Sequence, residues 1–198
     1  MRRLSPADLF LALALALALL PDAAAALELK PAIGLTFTDV ASDPAGGTAS
    51  GKAGWQLGGT VLLGEKLYFE GGVFYSQKSA DITSTTPSGS IDFTSITGLR
   101  IPAMVGFHLI GEPTGSFALR AFGGASAFLV TAVNVTGLTK SDFESPTYGA
   151  FVGAGVDFLF LFGELQYEWS LTNLSKASTV DVGATRSLFF NVGVKFSL

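Results

Sequence analysis

The chain predicts an all-β fold, one eight-stranded antiparallel up-and-down barrel able to span a bilayer, and three observations predict it. Apolar side chains recur at every second position through most of the sequence, the period of strands with two unlike faces. The connections between these stretches alternate short and long, as in a membrane barrel with turns on one rim and loops on the other. Charged residues are only 14% of the chain, against about 25% in soluble domains. Yet no apolar run after residue 26 reaches the roughly 18 residues of a membrane-spanning helix, so a closed barrel is the way left to cross.

The strands follow in order. The first, Leu29–Val40, alternates Ile33, Leu35 and Phe37, and the second, Gly54–Leu63, alternates Trp55, Leu57, Val61 and Leu63. The third, Leu67–Lys78, has Leu67, Phe69, Val73 and Tyr75; the fourth, Phe93–Leu109, has Leu99, Ile101, Val105, Phe107 and Leu109. The fifth is Ser116–Val133. The sixth, Thr147–Leu159, carries Tyr148, Val152, Val156 and Phe158, and the seventh, Gly163–Asn173, carries Leu165, Tyr167, Trp169 and Leu171. The eighth, Thr185–Leu198, ends the chain on Leu188, Phe190, Val192, Val194, Phe196 and Leu198. Long connections are expected at Ala41–Ala53, Ser79–Asp92, Asn134–Pro146 and Leu174–Ala184, and short ones at Gly64–Lys66, Ile110–Gly115 and Phe160–Phe162. The last is placed by spacing alone, having no Gly or Pro before Gly163. Pro102 cannot donate to a ladder, and a closed barrel has no edge to hide it, so a bulge is expected there.

Alternation by itself leaves the apolar face free to point inward, as in a soluble lipocalin-like ligand-binding barrel, or outward into lipid. The opposite phase decides for lipid. It is read as holding Glu70, Asp157, Glu164 and Glu168 against Arg100, Arg120, Arg186 and Lys195, with Phe74, Phe122, Phe128, Phe151 and Phe189 among them. A water-facing surface gains nothing from so many phenylalanines, whereas a narrow barrel interior uses them as filler beside a network of paired charges. Trp55, Tyr75, Tyr148 and Trp169 fall at the long-loop ends of their strands and form an expected outer aromatic girdle. Phe69, Phe107, Phe117, Phe158 and Phe196 fall at the other end.

The N-terminus reads as an export signal, with basic Arg2 and Arg3, a short apolar Leu9–Leu20 stretch and the small residues Ala23–Ala26. Cleavage near Ala26 leaves residues 27–198 as one barrel domain. It removes Arg2, Arg3, Asp8 and Asp22, so the mature chain keeps the net charge of −4. That acidic balance gives no footprint for nucleic acid. Cysteine is absent, which excludes disulfides and thiolate chemistry.

No catalytic or metal site and no cofactor is expected. His108, the only histidine, sits at the short-turn end of the fourth strand with no nucleophile motif. Gly153-Ala154-Gly155 lacks the third glycine and the following helix of a dinucleotide loop, and its glycines are read as relieving crowding in the lumen. Glu164 and Glu168 lie roughly 13 Å apart along a strand, too far for a glycosidase acid/base pair. Asp39, Asp43, Asp81, Asp92, Asp142, Glu144 and Asp181 lie in or beside loops without calcium-loop spacing. Asn134-Val135-Thr136 and Asn173-Leu174-Ser175 match the glycosylation sequon.

Four segments are similar to the PorT-like outer-membrane β-barrel family of the Bacteroidetes group: Tyr75-Ser76-Gln77-Lys78, Leu99-Arg100-Ile101-Pro102, Gly153-Ala154-Gly155-Val156 and Leu171-Thr172-Asn173. The resemblance implies an outer-membrane barrel of a Gram-negative bacterium inserted by the barrel-assembly machinery. Phe190, Val192, Val194, Phe196 and Leu198 resemble the C-terminal insertion signal, with Leu198 where that pattern ends in Phe. The expected function is non-enzymatic: a barrel with a filled lumen that binds ligands or an envelope protein partner through its outer loops. A narrow porin-like channel or a transporter of small molecules, apolar ones included, and the soluble lipocalin-like ligand-binding barrel are the alternatives.

Overall fold

In the computed structural model the described residues are 27–40, 47–84, 91–112, 115–134, 145–172 and 185–198; the expected signal segment and most of the expected long connections lie outside them. The strands are β1 (Leu27–Val40), β2 (Gly47–Gly64), β3 (Leu67–Ser84), β4 (Ile91–Gly111), β5 (Phe117–Asn134), β6 (Thr147–Phe158), β7 (Leu161–Ser170), β8 (Thr185–Val194) and β9 (Phe196–Ser197). Consecutive strands from β1 through β8 pair antiparallel, and β1 pairs with β2 on one side and with β8 and β9 on the other. The sheet therefore closes on itself. β8 and β9 are one strand interrupted at Lys195, which makes the barrel eight-stranded, and Leu198 N–H donates to Leu27 O at 2.9 Å, tying the last residue to the start of β1.

Several strands run further than composition suggests. β2 starts at Gly47, where a loop was expected to continue to Ala53, and β3 extends to Ser84 instead of stopping at Lys78. The Gly-, Ser- and Thr-rich stretches that read as loop instead pair with each other, Gly47 to Ser84 and Lys52 to Ser79. At the other rim, β7 begins at Leu161 and pairs it with Phe158. The turn is thus Leu159-Phe160, one residue earlier than expected, and Leu159 takes the positive φ of 54° that such a two-residue turn requires.

The expected bulge at Pro102 is not found. Register is unchanged across it toward both neighbours, with Gly71 opposite Ala103, Phe74 opposite Arg100 and Ser126 opposite Pro102. The ladder to β3 simply lapses at Gly72 and Val73, which accommodates the missing N–H. The register shifts fall elsewhere, at Lys52/Trp55, Ala80/Ile82, Thr97/Gly98 and His108/Ile110.

The alternating apolar row points out. Ile33, Leu57, Val73, Ile101, Val152, Leu165 and Val192 are all exposed, Leu57 at 55%. The opposite row points in and is buried, including Arg100 and Arg120 at 0%. Eight strands enclose a space that side chains alone can fill, and Leu62, Tyr68, Met104, Phe122 and Phe151 pack together inside it.

Candidate functional site in the barrel lumen

The chemistry of the molecule is concentrated in the lumen, where inward positions of every strand meet. Toward the short-turn rim, β1 presents Lys30, whose Nζ donates to Glu70 Oε1 at 2.9 Å and Glu164 Oε1 at 2.6 Å. Across the barrel, Arg120 from β5 donates through Nη2 to Asp157 Oδ1 and Glu164 Oε1, both at 2.9 Å, and through Nη1 to the Tyr68 hydroxyl at 3.2 Å. The Thr60 hydroxyl donates to Glu70. Lys195 lies 3.6 Å from Asp157 Oδ2 and 4.0 Å from Glu28 Oε1. Three cations thus face four carboxylates, and sharing Glu70, Asp157 and Glu164 between donors is what makes so much buried charge tolerable.

Toward the long-loop rim the balance reverses. Arg100 from β4 grips Glu168 Oε2 through Nε at 3.0 Å and Nη2 at 2.8 Å, and Ser126 donates to the same oxygen at 2.7 Å. Lys78 Nζ stands 3.9 Å from Glu168 Oε1. Phe128 lies 4.9 Å from that ammonium, and Phe189 lies 4.1 Å from the Arg100 guanidinium, at cation–π range. Gln166 joins the two layers, accepting from Arg100 Nη2 at 3.1 Å and donating to Glu164 Oε2 at 3.3 Å. One connected polar network therefore runs from Lys78 to Glu28.

Seven of the eight residues expected in the lumen point into it: Glu70, Arg100, Arg120, Asp157, Glu164, Glu168 and Lys195. Arg186 does not. On β8 the inward residues are Ser187, Phe189 and Asn191, so Arg186 has the outward parity and is exposed, opposite Trp169 in the ladder. Its place in the network belongs to Lys30, with Glu28, Lys78, Tyr68, Gln56, Gln166 and Asn191 as further inward polar groups that the sequence reading passed over. The signal for them was available, since Glu28 and Lys30 share the even parity opposite Ile33, Leu35 and Phe37.

Trp55, Tyr75, Tyr148 and Trp169 are exposed on the outward row at the long-loop ends, and the Trp55 and Tyr75 rings lie 5.8 Å apart. Phe190, Val192 and Phe196 lie on the same outward face, with Leu198 exposed at the terminus. His108 points inward, its Nδ1 2.7 Å from Glu65 O and its ring 5.1 Å from Tyr68. Gly153 and Gly155 face the lumen, where a side-chain carbon on Gly153 would lie 2.4 Å from the Phe122 ring. The loop aspartates other than Asp39 and Asp81 lie outside the described residues or have no described side chain, as do the side chains of those two.

Glu164 is held by Lys30 and Arg120, and Glu168 by Arg100 with Lys78 nearby. The lumen as built is a structural plug of ion pairs and rings. No family model matches the chain, and no curated protein matches it. Solved structures do. The outer membrane protein OprG from Pseudomonas aeruginosa superposes with a TM-score of 0.56 at 13% identity, over 88% of this chain and 96% of that one. Neisserial surface protein A superposes at 0.51 and 15% identity, over 86% of this chain and 97% of that one. This chain has the fold of an eight-stranded outer-membrane barrel.

Proposed function

We propose that the mature chain is an integral outer-membrane β-barrel of a Gram-negative cell, exported through its N-terminal signal and inserted by the barrel-assembly machinery. The observation that carries this is the pairing of an apolar outward belt with a sealed, charged interior. In water each large apolar side chain on that belt would forgo about 1.5–3 kcal/mol of burial, and so extensive a patch is foreign to soluble monomers. Acyl chains remove that cost. The aromatic residues at both rims suit the two headgroup zones.

Within the membrane the chain is read as non-enzymatic, acting through what its long loops or rims bind, an envelope protein partner included. Phe190, Val192, Val194, Phe196 and Leu198 serve as the insertion signal in this reading. Membership of the PorT-like family is the finer proposal, supported by the four segments named above. A second reading, a narrow channel, is favoured by the unbroken polar path from Lys78 to Glu28. Planar-bilayer recording separates the two: the plug predicts no steady single-channel steps, and regular steps would establish the channel. Fractionation tests the shared premise, since recovery in the soluble periplasm without detergent would defeat both.

A further inference from the structure

We propose that the β6–β7 turn is a lipid-contact element, with Leu159 and Phe160 seated among the phospholipids of the inner leaflet instead of standing in periplasmic water. The inference rests on the outer-membrane reading and adds to it where the apolar belt ends. The short connections differ in kind. The β2–β3 turn carries exposed Glu65 and Lys66, and the β4–β5 connection opens on exposed Glu112. The β6–β7 turn instead has four consecutive exposed apolar residues, Phe158, Leu159, Phe160 and Leu161, with Phe160 at 60%. Such a run in water is a fault unless something covers it.

The occupant follows from what adjoins the turn. Phe158 is the last outward residue of β6, and in the ladders it stands opposite exposed Phe117 while Leu161 stands opposite Val194. The turn therefore continues the outward belt without a polar break, and the solvent of that belt is lipid. Immersion also requires backbone polar groups to be paired within the protein. Leu159 N–H donates to Ser116 O at 2.9 Å, and Phe160 O accepts from Lys195 N–H at 2.8 Å. The turn is thus tied to the strands on both sides.

Heights measured from the outer girdle give the level. Phe158 is ten positions after Tyr148, about 33 Å along the strand and roughly 25 Å in height at the usual tilt, which already equals the apolar band of such barrels. Leu67 is eight positions before Tyr75, about 26 Å along the strand and roughly 20 Å in height, and the charges of Lys66 and Glu65 follow at once. Apolar contact therefore reaches further on the β6–β7 side than on the β2–β3 side. A bilayer accommodates so uneven a belt by tilt or by a local change of thickness.

The test places single nitroxide labels at Phe160 and Lys66 in the full mature barrel, refolded into vesicles of phosphatidylethanolamine and phosphatidylglycerol, with labels at Leu57 and Val192 as belt references. Collisions with oxygen are expected to exceed those with a water-soluble nickel complex at Phe160, and the order is expected to reverse at Lys66. Leu161 takes the label if Phe160→Cys does not give the compact, heat-modifiable band. Nickel-dominated collisions at Phe160 with lipid-like values at Leu57 and Val192 would overturn the immersed turn and leave the membrane barrel standing. A Phe160 label shielded from both reagents would mean contact with protein, a second copy included, and would overturn it too, as would oxygen-dominated collisions at Lys66 equal to those at Phe160. Nickel-dominated collisions at Leu57 and Val192 would instead defeat the outer-membrane reading itself.

Discussion

Arg120 illustrates how single residues hold the interior together. It reaches Asp157, Glu164 and Tyr68 from one guanidinium, and Glu70 lies 3.5 Å from its Nη1. Replacing it with methionine strands several buried carboxylates with Lys30 and Lys195 as the cations left near them, and breaking a buried pair from one side costs about 3–5 kcal/mol. Arg120→Met is therefore expected to lower the urea midpoint of the compact band sharply. Arg186→Ala is expected to shift stability by no more than about 0.5 kcal/mol, because that side chain is at the rim in contact with solvent or headgroups. The same contrast explains what was legible. Charge and parity together locate Glu70 and Glu164; charge without parity put Arg186 inside, and polar residues without charge, such as Gln56 and Asn191, drew no attention although their parity was clear.

Strands carry the next level of the argument. Alternation was read in seven of the eight, β5 being given as a bare range, because one face must bury what the other must show to a different solvent. It failed at strand ends, where Gly47–Lys52 and Ser79–Ser84 have turn-like composition yet satisfy their backbone by pairing with each other. The β6–β7 turn was misplaced by one residue for a related reason: Leu159 occupies a position that normally signals itself with glycine. A leucine at φ 54° is strained. Leu159→Gly should relieve roughly 1 kcal/mol, read as a higher unfolding midpoint with unchanged band mobility; a lower midpoint would mean that the exposed leucine contributes more through its contacts than the strain removes.

At the scale of the whole molecule, closure is what lets a chain with 14% charged residues place its ionic groups inside and its apolar groups outside. Nothing in a single strand forces that inversion; it follows from Lys30 and Arg120 sharing Glu164, which needs β1 paired with both β2 and β8. Val192 lies on the outward belt, so Val192→Arg should cost about 2–4 kcal/mol in a bilayer, measurable by refolding into vesicles. On a soluble barrel the same change would be nearly neutral. The most direct test of lipid contact uses the absence of native cysteine to place single spin labels at Leu57 and Val192 and compare collisions with oxygen and with a water-soluble nickel complex. High oxygen and low nickel accessibility at both positions is predicted, and strong nickel collisions, or a label shielded from both reagents, would contradict the account.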